Sequence, residues 1–221
     1  MVCAGCAGTP EPTPSADTTA RDLTVEPARI DRARHALPPG YEVASYTGAP
    51  TPLAVWGLAG PVEAQPAQCV ELAAPPVRPD SAQGWSASGP GGIIYAVVAA
   101  AAPGPLVTDA PGPPVTDAPG PPVEAAFCRS WTATAGHTSA TVRELPAPAL
   151  EAAHTVGMAT AATTVVEGGT ETRAEADTFV AHLGQFVCFV ALVTDPGSAY
   201  PRLDAAFAAD LLVETVSALR S

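Results

Sequence analysis

Gln185-Phe-Val-Cys-Phe-Val-Ala-Leu-Val-Thr-Asp195-Pro196 is the longest compact apolar run with strand character in the chain. Gly184 precedes it and Asp195-Pro196-Gly197 closes it, so turn signals bound it on both sides. A short apolar run bounded in this way predicts a strand covered on both faces, around which the rest of the chain packs.

Working outward, residues 172–182 are expected to pair with that strand as a hairpin through Leu183-Gly184. Residues 159–166, rich in Thr and Val and ending at Gly168-Gly169, predict a further strand. The runs at 127–134 and 139–145 read as strands joined through Gly136-His137. Residues 84–88 and 93–98 form the arms of a hairpin turned by Gly89-Pro-Gly-Gly92. Residues 41–46 alternate as a half-buried strand does, and the apolar run at 53–58 around Trp56 predicts one more. Three helices are expected. Thr24 caps the first, with Pro27 in its opening turn and Ile30, Ala33 and Leu37 on one face. Cys69-Val-Glu-Leu72 begins a short one that Pro75-Pro76 stops. Residues 202–219 form the last, with Phe207, Leu211, Leu212, Val216 and Leu219 on one arc and Asp210, Glu214 and Ser217 opposite. Helix, many strands, helix is an α+β pattern: an antiparallel sheet with an N-terminal and a C-terminal helix packed on one face.

At 221 residues the chain suits one α+β domain, 23–221, preceded by a tether. Residues 7–22 are rich in Pro, Thr and small residues and lack apolar periodicity. Inside the domain, Val107-Thr-Asp-Ala-Pro-Gly-Pro-Pro114 is repeated at once as Val115-Thr-Asp-Ala-Pro-Gly-Pro-Pro122. With 8 Pro and 3 Gly in the 20 positions of 103–122, this stretch predicts an extended, partly polyproline loop. It is read as a tolerated surface expansion rather than a ligand for a proline-recognition domain.

Charge narrows the partners. Ten Arg stand against 22 Asp plus Glu, for a net charge of −12, and the chain contains neither Lys nor Asn. Scattered cations on an acidic chain exclude a nucleic-acid surface, and an anionic lipid surface is disfavoured for the same reason. The lack of Asn removes N-glycosylation, and no run of about 18 apolar residues predicts a membrane span.

Five Cys occur, at 3, 6, 69, 128 and 188. Cys3-Ala-Gly-Cys6 has the C-x-x-C spacing of a redox or zinc pair, but a flexible tail cannot hold such a site. Ala4-Gly5 before Cys6, followed by the Pro/Ser/Thr tether, is instead the pattern of a lipobox, which makes Cys6 the expected lipidation site. Cys3 stands where Leu is usual in that pattern, and only five residues precede Cys6. An export signal needs a charged start and an apolar stretch of about 7–15 residues. The complete signal is therefore expected upstream of Met1, or lost. On export, the three remaining Cys allow at most one intrachain bridge. In a cytoplasmic protein all three would be reduced thiols.

No reaction is specified. The four His, at 35, 137, 154 and 182, lack metal-site spacing, and no Cys-x-x-Cys lies in the folded part. Gly84-Trp-Ser-Ala-Ser88 misses the nucleophile elbow at its fifth position. Gly89-Pro-Gly-Gly92 lacks both the spacing and the following helix of a phosphate-cradling loop. Trp56, Trp85, Trp131, Tyr41 and Tyr95 are expected to pack in the core in preference to lining an apolar cleft. No catalytic residue, metal ligand or cofactor site is assigned.

The short helix ending in Leu37-Pro-Pro-Gly-Tyr-Glu-Val43, a Cys after a Pro/Gln loop, the Gly-Trp-Ser arm, a second Cys, a late Cys-bearing strand and the terminal helix form an ordered set of landmarks. Over 24–221, apart from the proline repeat, this layout resembles mycobacterial secreted lipoproteins of unknown function. It is also similar to the extracellular sensor domain of a mycobacterial serine/threonine kinase. The resemblance implies a lipid-anchored domain on the outer face of the cell membrane, with a cleft for an unidentified small or apolar ligand or an envelope protein. It also implies a Cys69–Cys128 bridge, with Cys188 left as a buried free thiol. The leading expectation is a non-catalytic binding domain. The alternatives are an envelope hydrolase with a nonlocal site and a purely structural or antigenic surface protein.

Overall fold

The computed structural model describes residues 23–103, 127–194 and 196–221. Cys6, the tether and all of the proline repeat but Pro103 lie outside the described residues. Nine antiparallel strands form one sheet in the order β1-β3-β4-β9-β8-β7-β6-β5-β2. They are β1 (Glu42–Ser45), β2 (Glu63–Gln65), β3 (Gln83–Gly89), β4 (Gly92–Ala100), β5 (Ser130–Ala135), β6 (Thr138–Leu145), β7 (His154–Val165), β8 (Glu171–Leu183) and β9 (Phe186–Thr194).

The apolar run that opened the sequence analysis is β9, and both of its faces are covered. Cys188, Val190 and Leu192 enter one core with α2 (Ala205–Arg220), while Val187, Phe189 and Ala191 enter a second core on the opposite face. Alternating side chains that both meet protein explain why the strand reads as continuous hydrophobe. At the other end of the sheet, β5 and β6 bury every second residue only, as their sequences Ser-Trp-Thr-Ala-Thr-Ala and Thr-Ser-Ala-Thr-Val-Arg-Glu-Leu require.

On the α2 face the N-terminal element packs beside α2, as expected, but it is a ten-residue 3₁₀ helix, η1 (Pro27–Ala36), not an α-helix. Three residues per turn place Pro27, Ile30, Ala33 and Ala36 on one line, and Ile30 and Ala33 are buried there. Leu37 is the C-cap, outside that line, and Glu26 takes the N-cap position in place of Thr24. The indole Nε1 of Trp85 donates to the Ile30 carbonyl at 3.2 Å, and the Glu26 N–H donates to the Leu219 carbonyl at 2.8 Å. The Asp204 carboxylate caps α2 by accepting from the Phe207 N–H at 2.9 Å.

The other face has a cover of its own, built from residues 52–74. Residues 53–58, expected as a strand, begin with the single α-turn α1 (Pro52–Val55), and Trp56 follows as its C-cap. Pro at the first helical position and the Trp56 N–H to Pro52 carbonyl bond close that turn. Trp56 then reaches into the core, where its Nε1 donates to Thr178 Oγ1 at 2.9 Å. A second 3₁₀ helix, η2 (Ala67–Leu72), carries Cys69, which is bridged to Cys128 with the Cα atoms 5.5 Å apart.

Candidate functional site

The two covers are offset. η1 and α2 lie over β3, β4, β9 and β8, the β6–β7 connection covers the adjoining end of β6 and β7, and the rest of that face of β7, β6 and β5 is open. A hollow of about 430 Å³ lies at the step where the helical cover stops. Its floor is β7, where the outward-facing residues Ala159 and Ala161 are too small to fill the space. On one side stand Thr141 and Arg143 of β6, paired in register with Ala161 and Ala159. On the other stand Glu175 and Asp177 of β8, paired with the same two alanines. Arg202 and Ala205, at the approach to and start of α2, form the end wall.

Arg202 ties the far wall together. Its Nη1 is hydrogen-bonded to Glu175 Oε2, and its Nη2 donates to Asp177 Oδ2 at 3.3 Å. Asp177 is only 8 % exposed. Burial pushes its carboxyl above the usual Asp range, against the pull of Arg202, and Glu175 and Asp204 push the same way while Arg143 opposes them. The four charged groups cancel formally. Arg143 offers guanidinium donors from the β6 side, and Glu175 and Asp177, tied by Arg202 at the end wall, offer carboxylate acceptors from the β8 side of a groove one strand wide.

Arg202 also borders a second, more open hollow of about 700 Å³, with the Gly89–Gly92 turn, Ile93, Val193 and the exposed Tyr200 around it. The turn is held from beneath by Tyr41, whose hydroxyl oxygen accepts from the Gly91 N–H at 3.1 Å. This agrees with reading Gly89-Pro-Gly-Gly92 as a turn.

The residues singled out from sequence distribute as follows. Cys69 and Cys128 are joined. Cys188 is a buried free thiol whose pKa burial pushes up to about 12. Trp56, Trp85 and Trp131 are buried in the two cores and line neither hollow, and Tyr95 packs edge-on against Tyr46 with centroids 5.9 Å apart. His35 lies 3.9 Å from Glu214 and His137 sits in the β5–β6 turn, whereas His154 and His182 are brought side by side across β7 and β8. The charged walls of the trough were not anticipated. The available signal was Glu175-Ala-Asp177, two carboxylates at strand spacing at the edge of the buried part of β8.

No curated protein matches the chain. Among solved structures, an uncharacterised protein of Mycobacterium smegmatis, the Rv0999 ortholog, shares the fold. It has a TM-score of 0.59 and 21% identity, over 89% of this chain and 98% of that one. The extracellular domain of PknH from Mycobacterium tuberculosis aligns at a TM-score of 0.41 and 11% identity, over 94% of this chain and 97% of that one. A family model described as a domain of unknown function, DUF5642, matches residues 26–220, and the chain belongs to that family.

Proposed function

We propose that this protein is a non-catalytic binding domain of the cell envelope, anchored through a lipid on Cys6, and that a small polyhydroxylated ligand lies in the trough along β7. The trough itself carries the reading: two alanines floor a groove with Arg143 on one wall, Asp177 and Glu175 on the other and Arg202 at its end. Hydroxyl groups both donate and accept, so they match walls of fixed donors and fixed acceptors whose charges cancel. The Cys69–Cys128 bridge supports an oxidising compartment. Among the described residues, no Ser or His in either hollow is hydrogen-bonded to a carboxylate, the pairing a hydrolytic site needs.

The test is native mass spectrometry of the protein released from the membrane fraction of its own host, beside an Ala159→Leu variant that fills the floor. A diacyl or triacyl adduct on Cys6, with a small co-purifying ligand present in the wild type and absent from the variant, is the expected result. An unlipidated soluble chain refutes the anchor. A ligand retained equally by both proteins refutes the trough.

A further inference from the structure

His154 on β7 and His182 on β8 are direct cross-strand partners. Such partners in an antiparallel pair project from the same face with Cβ atoms about 4.5–5.5 Å apart. Their ring centroids are 6.0 Å apart, with the planes inclined at 60°. They face the side of the sheet opposite α2, in line with Val187 of β9. His154 is exposed and His182 half-buried. Among the described residues neither imidazole has a hydrogen-bond or ion-pair partner, so the ring nitrogens are uncommitted. Burial, and secondarily His154, hold His182 below the usual His range.

Two imidazoles side by side on one face of a strand pair can supply half of a coordination sphere for a borderline-soft divalent ion. Zn–N bonds of about 2.0–2.1 Å in tetrahedral geometry place the two ring centroids roughly 5 Å apart. From the observed 6.0 Å, side-chain torsions supply the difference without moving the strands. The chain's net charge of −12 lowers the cost of bringing in a dication. We propose that His154 and His182 form a two-histidine site for a divalent transition-metal ion of the zinc and copper class, with water in the remaining positions. The site is separate from the trough and does not depend on it.

Zn²⁺ is the probe, and the imidazole ¹⁵N resonances of the full chain are the readout, with Cys3 and Cys6 first alkylated so that their thiolates do not compete. The expected result is that the His154 and His182 resonances shift together along one saturation curve while those of His35 and His137 stay still. Chelation also predicts coupling: His154→Gln abolishes the zinc-induced shift of His182, and His182→Gln that of His154. Because His154 is exposed, its variant folds and the outcome remains readable. A His182 shift that persists in His154→Gln, no shift in the wild type, or equal weak shifts of all four histidines would each overturn the proposal.

Discussion

Reducing the Cys69–Cys128 bridge removes a constraint that acts mainly on the unfolded chain. The two half-cystines are 59 residues apart in sequence, and closing a loop of that size lowers unfolded-state entropy by an amount worth about 4 kcal/mol at room temperature. Both are buried, at 0% and 3% exposure, and they join η2 on the cover of one face to the segment entering β5. With a urea dependence of about 2 kcal/mol per molar, the unfolding midpoint of the reduced protein should fall by about 2 M. Buried Trp56, Trp85 and Trp131 provide the fluorescence signal, and reduced wild type is the right comparison because it keeps both sulfurs in place. The same logarithm makes a second, sharper statement. Deleting residues 115–122, one copy of the proline repeat, shortens the bridged loop but changes the bridge's contribution by only about 0.1 kcal/mol. A midpoint that moves by less than about 0.5 M on reduction would refute the entropic account. So would a bridge contribution that depends strongly on the number of repeats.

Four further outcomes follow from single positions. Thr160 is 4% exposed and its Oγ1 has no hydrogen-bond partner among the described residues, so Thr160→Val, which keeps the shape and removes the stranded hydroxyl, should raise stability by about 1 kcal/mol in urea titration. Gly92 has φ +127° and a Cβ there would lie 2.4 Å from the Val193 carbonyl oxygen, so Gly92→Ala should cost about 2 kcal/mol or more by the same assay. The Asp177 carboxyl holds its proton to higher pH when folded than the ordinary 3.8. Its contribution to stability should therefore grow as pH falls through the window just above that value and be lost as pH rises. Wild type should gain on Asp177→Asn on acidification, and the opposite slope would refute the assignment. Cys188, buried and with its thiol pushed up to about 12, should resist iodoacetamide until the chain unfolds, as peptide mapping would show.

What could be read from sequence was what depends on local pattern. Residues 186–193 are apolar at every position because both faces of β9 meet protein, while β5 and β6 alternate because one face does not. Residues 53–58 misled because Leu-Ala-Val-Trp-Gly-Leu is as apolar as a strand; only Pro52 at the first helical position marked the α-turn. The 3₁₀ form of η1 was encoded in the three-residue spacing of Ile30, Ala33 and Ala36, which the α reading had extended to Leu37 instead. The trough and the histidine pair were out of reach for a different reason. Both depend on strand register, and the η1–α2 cover that ends beside Asp177 is assembled from the two ends of the domain.

One row across the sheet shows where stability stops explaining the sequence. In register it runs Val43, Ala87, Ile94, Leu192, Asp177, Ala159, Arg143. Ala87, Ile94 and Leu192 are buried beneath the η1–α2 cover. The next position, still nearly buried, carries a carboxylate. A row built for packing alone would continue with an apolar residue at 177, because a buried carboxylate costs desolvation and its partner Arg202 is half-exposed and keeps Glu175 without it. The position after it holds alanine, which declines to fill the space that Asp177 borders. An Asp at the limit of the core, an Arg from the α2 approach that reaches back to it, and a floor of small residues are each costly or neutral for folding. If they are the walls and floor of the proposed site, Asp177→Leu should leave the fold as stable or more so while abolishing retention of the proposed trough ligand.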